Sequence, residues 1–155
     1  MERPPNLAAA IEAAAEALIG VLDTAGARHA SSVSPTQLRV LSLISARPGT
    51  NVNGLAELLN VVPSSASRLC DRLEATGLLR RVADPRDRRE VHLMLTTAAR
   101  TLLAELKRCR HQAVQTVLEQ MPARAQHELL LSLLAFSQAA QLSTAADSPS
   151  DARTA

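Results

Sequence analysis

The sequence predicts a mainly α-helical fold with one small β-hairpin, arranged as a winged helix-turn-helix domain between helices that pair two copies of the chain. Three observations lead there. Ala and Leu dominate the 155 residues, while Pro and Gly number only 8 and 5, a balance that favours helices over strands. Apolar residues recur at helical spacing everywhere except residues 78–95, where the period drops to two. The charge is uneven as well: the net is only +2, yet residues 68–89 hold 7 basic against 4 acidic groups, and every basic one is Arg.

The elements follow in order. After MERPPN, expected to be disordered over residues 1–6, Leu7, Ile11, Ala14, Leu18, Leu22 and Ala25 mark one face of a first helix within a dimerisation segment at 7–32. Ser34-Pro35-Thr36-Gln37 reads as a capping box with Pro at the first helical position, opening a second helix faced by Leu38, Leu41 and Ile44 or Ser45 and stopped by Pro48-Gly49. Asn51 caps a short third helix with Leu55, Leu58 and Leu59 inward. A tight turn at Asn60-Val61-Val62 precedes Pro63, which opens a fourth helix running to Thr76. Its apolar face is Ala66, Leu69, Cys70 and Leu73, and Gly77-Leu78 supplies a left-handed, Schellman-type stop.

Alternation then gives two strands around Asp84-Pro85-Arg86-Asp87, which is turn chemistry. An isolated hairpin is marginal in water, so this one must lean on the helices before it. Thr96 or Thr97 caps a long helix striped by Leu102, Leu106, Cys109, Ala113 and Val117, which Met121-Pro122 breaks. A last helix carries Leu129, Leu130, Leu133, Leu134 and Phe136. The domains are therefore a winged helix-turn-helix at 33–97, further dimerisation helices at 98–142 and a disordered tail at 143–155.

Composition excludes several functions. Phe136 is the one aromatic residue, so there is no platform for stacking unpaired bases. Cys70, Cys109 and four scattered histidines form neither a disulfide framework nor a metal-ligand spacing. No cofactor or metal is expected. An enzyme is not expected either, because a phosphate-cradling Gly loop, a nucleophile elbow and HExxH are all missing from the sequence. No membrane partner is expected, and the start lacks a secretory layout, so a cytoplasmic, nucleoid-associated protein is anticipated.

A helix-turn-helix followed by an Arg-tipped hairpin suits duplex DNA: a helix in the major groove and arginines at the minor groove and phosphates. Small Ser64, Ser65 and Ser67 allow close approach, Arg68 and Arg72 are the longer readers, and Arg86, Arg88 and Arg89 sit at the wing with Asp87. At least one of Arg80 and Arg81 is expected to have a structural partner. Cys70 reads as a small buried hydrophobe and Cys109 as a residue facing a partner subunit. The apolar stripes of the first, fifth and last helices exceed what a small winged domain needs, which implies a homodimer and a near-palindromic site.

The run Gly77 to Thr96, GLLRRVADPRDRREVHLMLT, resembles the wing signature of the MarR family of bacterial transcriptional regulators, and the helix order on both sides fits that family too. The resemblance implies recognition-helix contacts at Ser64, Ser65, Ser67 and Arg68, a minor-groove arginine at Arg89 and its acidic brace at Asp87. It also implies a homodimeric repressor on a pseudo-palindromic operator, relieved by a small anionic or aromatic effector in a cleft near Arg28, His29 and Arg39. Where the family often has Ser or Thr before the recognition helix this chain has Val62, so the helix start is expected at Val62 or, with Ser64 as the cap, a residue or two later. The competing reading from another class is a helical dimerisation or adaptor module that binds protein and not DNA.

Overall fold

A computed structural model describes residues 6–27, 33–83 and 91–146. The order is α1 (Leu7–Ala27), α2 (Pro35–Ala46), α3 (Val52–Leu59), α4 (Pro63–Ala75), β1 (Leu79–Ala83), β2 (Val91–Leu95), α5 (Thr97–Leu118) and α6 (Ala123–Ala146). The chain divides into two compact units, Met1–Val114 and Gln115–Ala155.

In the first unit the helix boundaries are set by local chemistry. Asn6 belongs to the structure and caps α1, accepting the Ala9 amide on Oδ1 at 3.2 Å. At α2 the capping box is complete: the Gln37 amide donates to Ser34 Oγ at 3.2 Å and the Ser34 amide to Gln37 Oε1 at 2.9 Å. Two of the orphan donors at that helix end are thereby satisfied. Asn51 Oδ1 accepts the Gly54 amide at 2.8 Å and starts α3. That helix closes on Asn60, held in the left-handed region at φ 53°, with the Val61 amide reaching back to Ala56 O at 3.0 Å. Asn tolerates this conformation better than any other residue with a side chain except Asp, which makes the turn between α3 and α4 short. Helix α4 then starts at Pro63 with Val62 as its cap residue and no side-chain cap bond. Ser64 is inside the helix, so a start with Ser64 as the cap is excluded. The far end follows the Schellman pattern read from the sequence: Gly77 at φ 72°, with the Leu78 amide bonded to Leu73 O and the Gly77 amide to Glu74 O, both at 2.9 Å.

The hairpin pairs antiparallel with Leu79 opposite Leu95 and Arg81 opposite Leu93. Leu79, Leu93 and Leu95 are buried in one core with Val40, Leu41, Ile44, Leu55, Cys70, Leu73 and Ala99. The strands thus complete the apolar layer begun by α2, α3 and α4, as an otherwise marginal hairpin requires. A further bond joins the Leu93 amide to Thr50 O at 2.8 Å. Thr96 serves two elements at once, accepting the Ala99 amide at 3.2 Å as the cap of α5 and donating its hydroxyl to Gly77 O at 2.8 Å.

Two details of the core differ from the periodic reading. Val40 is fully buried on α2 and Leu38 only half-buried, in a core that α2 shares with α3, α4 and the hairpin. Cys109 is buried to 8% exposure within its own chain, which corrects its placement as a partner-facing residue. Leu106 is buried as well, against Gly26 of α1, whose hydrogen stands where a Cβ would come within 3.2 Å of Leu106 Cδ1.

The second unit holds the end of α5 and α6. Met121-Pro122 separates them as expected, and Gln126 Nε2 donates to Met121 O at 3.0 Å and to Leu118 O at 2.9 Å, the latter carbonyl also accepting the Met121 amide at 2.9 Å. Helix α6 continues to Ala146, so residues 143–146 are helical and the tail expected from Ser143 does not begin there. Ala-rich sequence sustains the helix, and Ser143 donates its hydroxyl back to Ala139 O, one turn earlier, at 3.2 Å.

Candidate nucleic-acid interface

Helix α4 buries Ala66, Cys70 and Leu73 and turns its other side outward. On that outward side Ser64, Arg68 and Arg72 are exposed, while Ser65 and Ser67 are half-buried. The spacing of Ser64, Arg68 and Arg72 by four residues puts them in one row along the helix. Arg72 Nε donates to Arg68 O at 3.3 Å, which lays its stem along the helix. Among the described residues Ser64, Ser65 and the Arg68 guanidinium make no side-chain hydrogen bond, so these groups can meet a ligand without first breaking such a contact.

Ser67 is different. Arg81 of β1 reaches back across the hairpin base and donates Nη2 to Ser67 Oγ and Ser67 O, both at 3.4 Å. The same guanidinium binds Asp71 Oδ1 at 2.7 Å and Glu74 Oε2 at 2.6 Å, and the Arg81 amide donates to Glu74 Oε1 at 3.3 Å. Burial alone would lower the pKa of Arg81, but the hydrogen bonds and charges of Asp71 and Glu74 outweigh it and raise the value. Arg81 is thus the structural partner expected among the two strand arginines, and Arg80 is exposed. The roles of Asp71 and Glu74 were missed from sequence. The signal available was their spacing with Ser67, at i, i+4 and i+7, on the side of the helix from which the chain turns into β1.

Burial raises the Cys70 thiol above its ordinary pKa, a lift that the nearby Arg81 partly offsets and Asp71 and Glu74 add to. A fully buried thiol of this kind serves as packing, as expected. Arg86, Asp87, Arg88 and Arg89, assigned to the wing tip from sequence, lie outside the described residues, as do Arg28 and His29 of the expected effector cleft.

Arg39 does line a cleft in the first unit. Its volume is about 690 Å³, and Asp23, Val33, Leu38, Leu106 and Arg110 complete much of the wall. Arg110 Nε is buried with no hydrogen-bond partner. Sequence reasoning did not single out Asp23 or Arg110, which meet Arg39 only through the packing of α1, α2 and α5. Among the described residues no cluster of potential metal ligands occurs, and no helix is long and apolar enough to cross a membrane.

Residues 33–91 match the MarR family model. The HTH-type transcriptional repressor MdtR of Bacillus subtilis is 38% identical over 64 residues, covering 41% of this chain and 41% of that protein. The HTH-type transcriptional regulator YhjH of the same organism is 28% identical over 102 residues, 66% of this chain and 58% of its own. The chain therefore aligns with less than two thirds of either relative. Among solved structures, RV1404 from Mycobacterium tuberculosis superposes with a TM-score of 0.78 at 28% identity, covering 91% of this chain and 97% of that one.

Proposed function

We propose, from the match of residues 33–91 to the MarR family model, that the chain is a sequence-specific double-stranded-DNA-binding regulator of transcription, acting as a homodimeric repressor. The observation that carries this reading is the outward row of Ser64, Arg68 and Arg72 on a helix held against a hairpin whose tip sequence is Arg-rich. Short hydroxyl side chains allow the helix backbone close to base edges, and Arg offers a planar fork to guanine. Ser65 lies beside this row, Ser67 joins it through its remaining hydroxyl capacity, and Arg86, Asp87, Arg88 and Arg89 form the wing contact in this proposal.

Dimerisation is supported by apolar surface on the terminal helices. Ile11 and Ile19 on α1, and Leu130, Leu134 and Phe136 on α6, are 47%, 54%, 54%, 52% and 64% exposed, a liability for a single copy in water. A twofold pair sets the two recognition helices about one DNA turn apart, roughly 34–36 Å. The cleft at Arg39 supports relief by an anionic effector with an apolar body: two guanidinium groups supply charge, and Val33, Leu38 and Leu106 supply apolar wall. Arg28 and His29 belong to the same proposal.

The test is selection of duplexes from a random pool, then titration of the selected site against salt. A near-palindrome with half-sites one turn apart and a steep salt dependence is expected, since log K falls by about 0.9 per phosphate neutralised for each unit of log salt. Arg68→Ala should weaken the selected site by about 1–3 kcal/mol if it reads a base. Failure to enrich any sequence refutes the proposal. The effector part fails if organic anions leave operator affinity unchanged in the parent and in Arg39→Ala alike.

A further inference from the structure

Arg81 has its guanidinium engaged on three residues of the recognition helix. Nη1 meets Glu74 Oε2 at 2.6 Å, and Nη2 meets Asp71 Oδ1 at 2.7 Å and the two oxygens of Ser67 at 3.4 Å. Ser67, Asp71 and Glu74 form one stripe beside the row of Ser64, Arg68 and Arg72. The cluster is not deeply buried: the side chains of Arg81, Asp71 and Glu74 are 26%, 60% and 41% exposed. One guanidinium and two carboxylates leave it with a net negative charge next to a surface proposed to meet phosphates.

That arrangement weakens attraction to any DNA, whatever its sequence, because sequence-blind binding is almost entirely electrostatic. Its geometry does something else. The fork of Arg81 grips two carboxylates one helical turn apart while its own amide donates to Glu74 Oε1 at 3.3 Å, and its neighbours Arg80 and Val82 pair with Met94 and His92 across the hairpin. An Arg fork fixes orientation in a way that a point charge cannot. The angle between α4 and β1 is thereby held, and with it the register in which helix and wing meet a duplex.

We propose that Arg81, with Asp71 and Glu74, is a positioning cluster that sets DNA specificity: it fixes helix and wing as one reading surface and lowers the affinity for unrelated sequence. The inference rests on the DNA-binding reading above. Discrimination is a difference of affinities, and a repulsive element that acts on every sequence raises it only when the correct site regains the loss through contacts made in register.

The test compares the selected site with a random duplex over a range of salt, using the full chain. Asp71→Asn with Glu74→Gln removes both charges at constant size. Random duplex binding should tighten about 3- to 10-fold, with a steeper salt slope, while the ratio of selected to random affinity falls by about 10-fold. Arg81→Lys keeps the cation but loses the fork, so the ratio should fall with random binding nearly unchanged. Equal tightening on both duplexes overturns the proposal, because the carboxylates would then act through charge alone. An unchanged ratio in Arg81→Lys overturns it as well. Helical signal and melting temperature verify folding, and if the double variant is unfolded, Glu74→Gln and Arg81→Lys decide the matter. If the parent protein selects no site, the DNA-binding reading fails first and the inference falls with it.

Discussion

The same chemical change, Gly to Ala, should have opposite effects at two positions of this chain. Gly77 sits at φ 72° between α4 and β1, and a Cβ there would meet nothing within 4 Å. Space is therefore not the issue. The cost is that of placing an L side chain in the left-handed region, about 1–2 kcal/mol, reduced by up to about 1 kcal/mol because Ala also stiffens the unfolded chain. Gly77→Ala should destabilise by about 1 kcal/mol. Gly20 lies inside α1, also with nothing within 4 Å of its Cβ position. Here Ala is favoured by helix propensity, and Gly20→Ala should stabilise by about 1 kcal/mol. The separation of about 2 kcal/mol is well above the uncertainty of urea unfolding followed by helical signal, provided chain concentration is held fixed, since any association adds to apparent stability. If Gly77→Ala unfolds at the parent midpoint, the left-handed stop is not what holds α4 to the strand. If Gly20→Ala destabilises, a neighbouring surface occupies that face of α1.

Two other perturbations have definite signs. Ser34→Ala removes one side of the capping box on α2 and should cost about 1 kcal/mol in the same unfolding assay, whereas Ser34→Asp should retain most of the stability. For Cys70 the folded pKa is raised, so the folded state holds its proton where the unfolded chain has released it. Stability from this group is fully present below the ordinary thiol pKa, about 8.5, and declines as pH rises through that value towards the raised folded one. Unfolding midpoints measured from pH 7 to 10 should fall more steeply for the parent than for Cys70→Ala, and equal slopes would contradict a protonated, buried thiol.

Sequence was most informative where structure is decided within a few residues. Ser34-Pro35, Asn51, Pro63 and Gly77 each act on neighbours three to five positions away, so their spacing alone located the ends of α2, α3 and α4. Core membership was legible only in part. Val40 is buried in a core to which β2, more than fifty residues along the chain, also contributes, and helical periodicity does not contain that partner. Of the candidate site, the outward row of Ser64, Arg68 and Arg72 follows from the apolar face opposite, and the structure exposes all three. The attachment of Ser67 to Arg81 did not follow, because it requires knowing which side of α4 the strand returns to. Arg39, Asp23 and Arg110 share a cleft for the same kind of reason: three helices distant in sequence supply one wall each.

The bond from the Leu93 amide to Thr50 O gives the domain an internal clock. Leu93 is 1% exposed, and its amide leaves β2 on the side opposite β1 to join the loop between α2 and α3. That hydrogen can exchange with solvent only when the hairpin and that loop separate. Its exchange rate therefore reports an opening that the strands cannot undergo alone, with a free energy near that of the whole domain if the units open together. Amides near the free ends of the strands would exchange through local fraying and run faster. The interval between the two rates measures how far the base of the wing is part of the body it stands on.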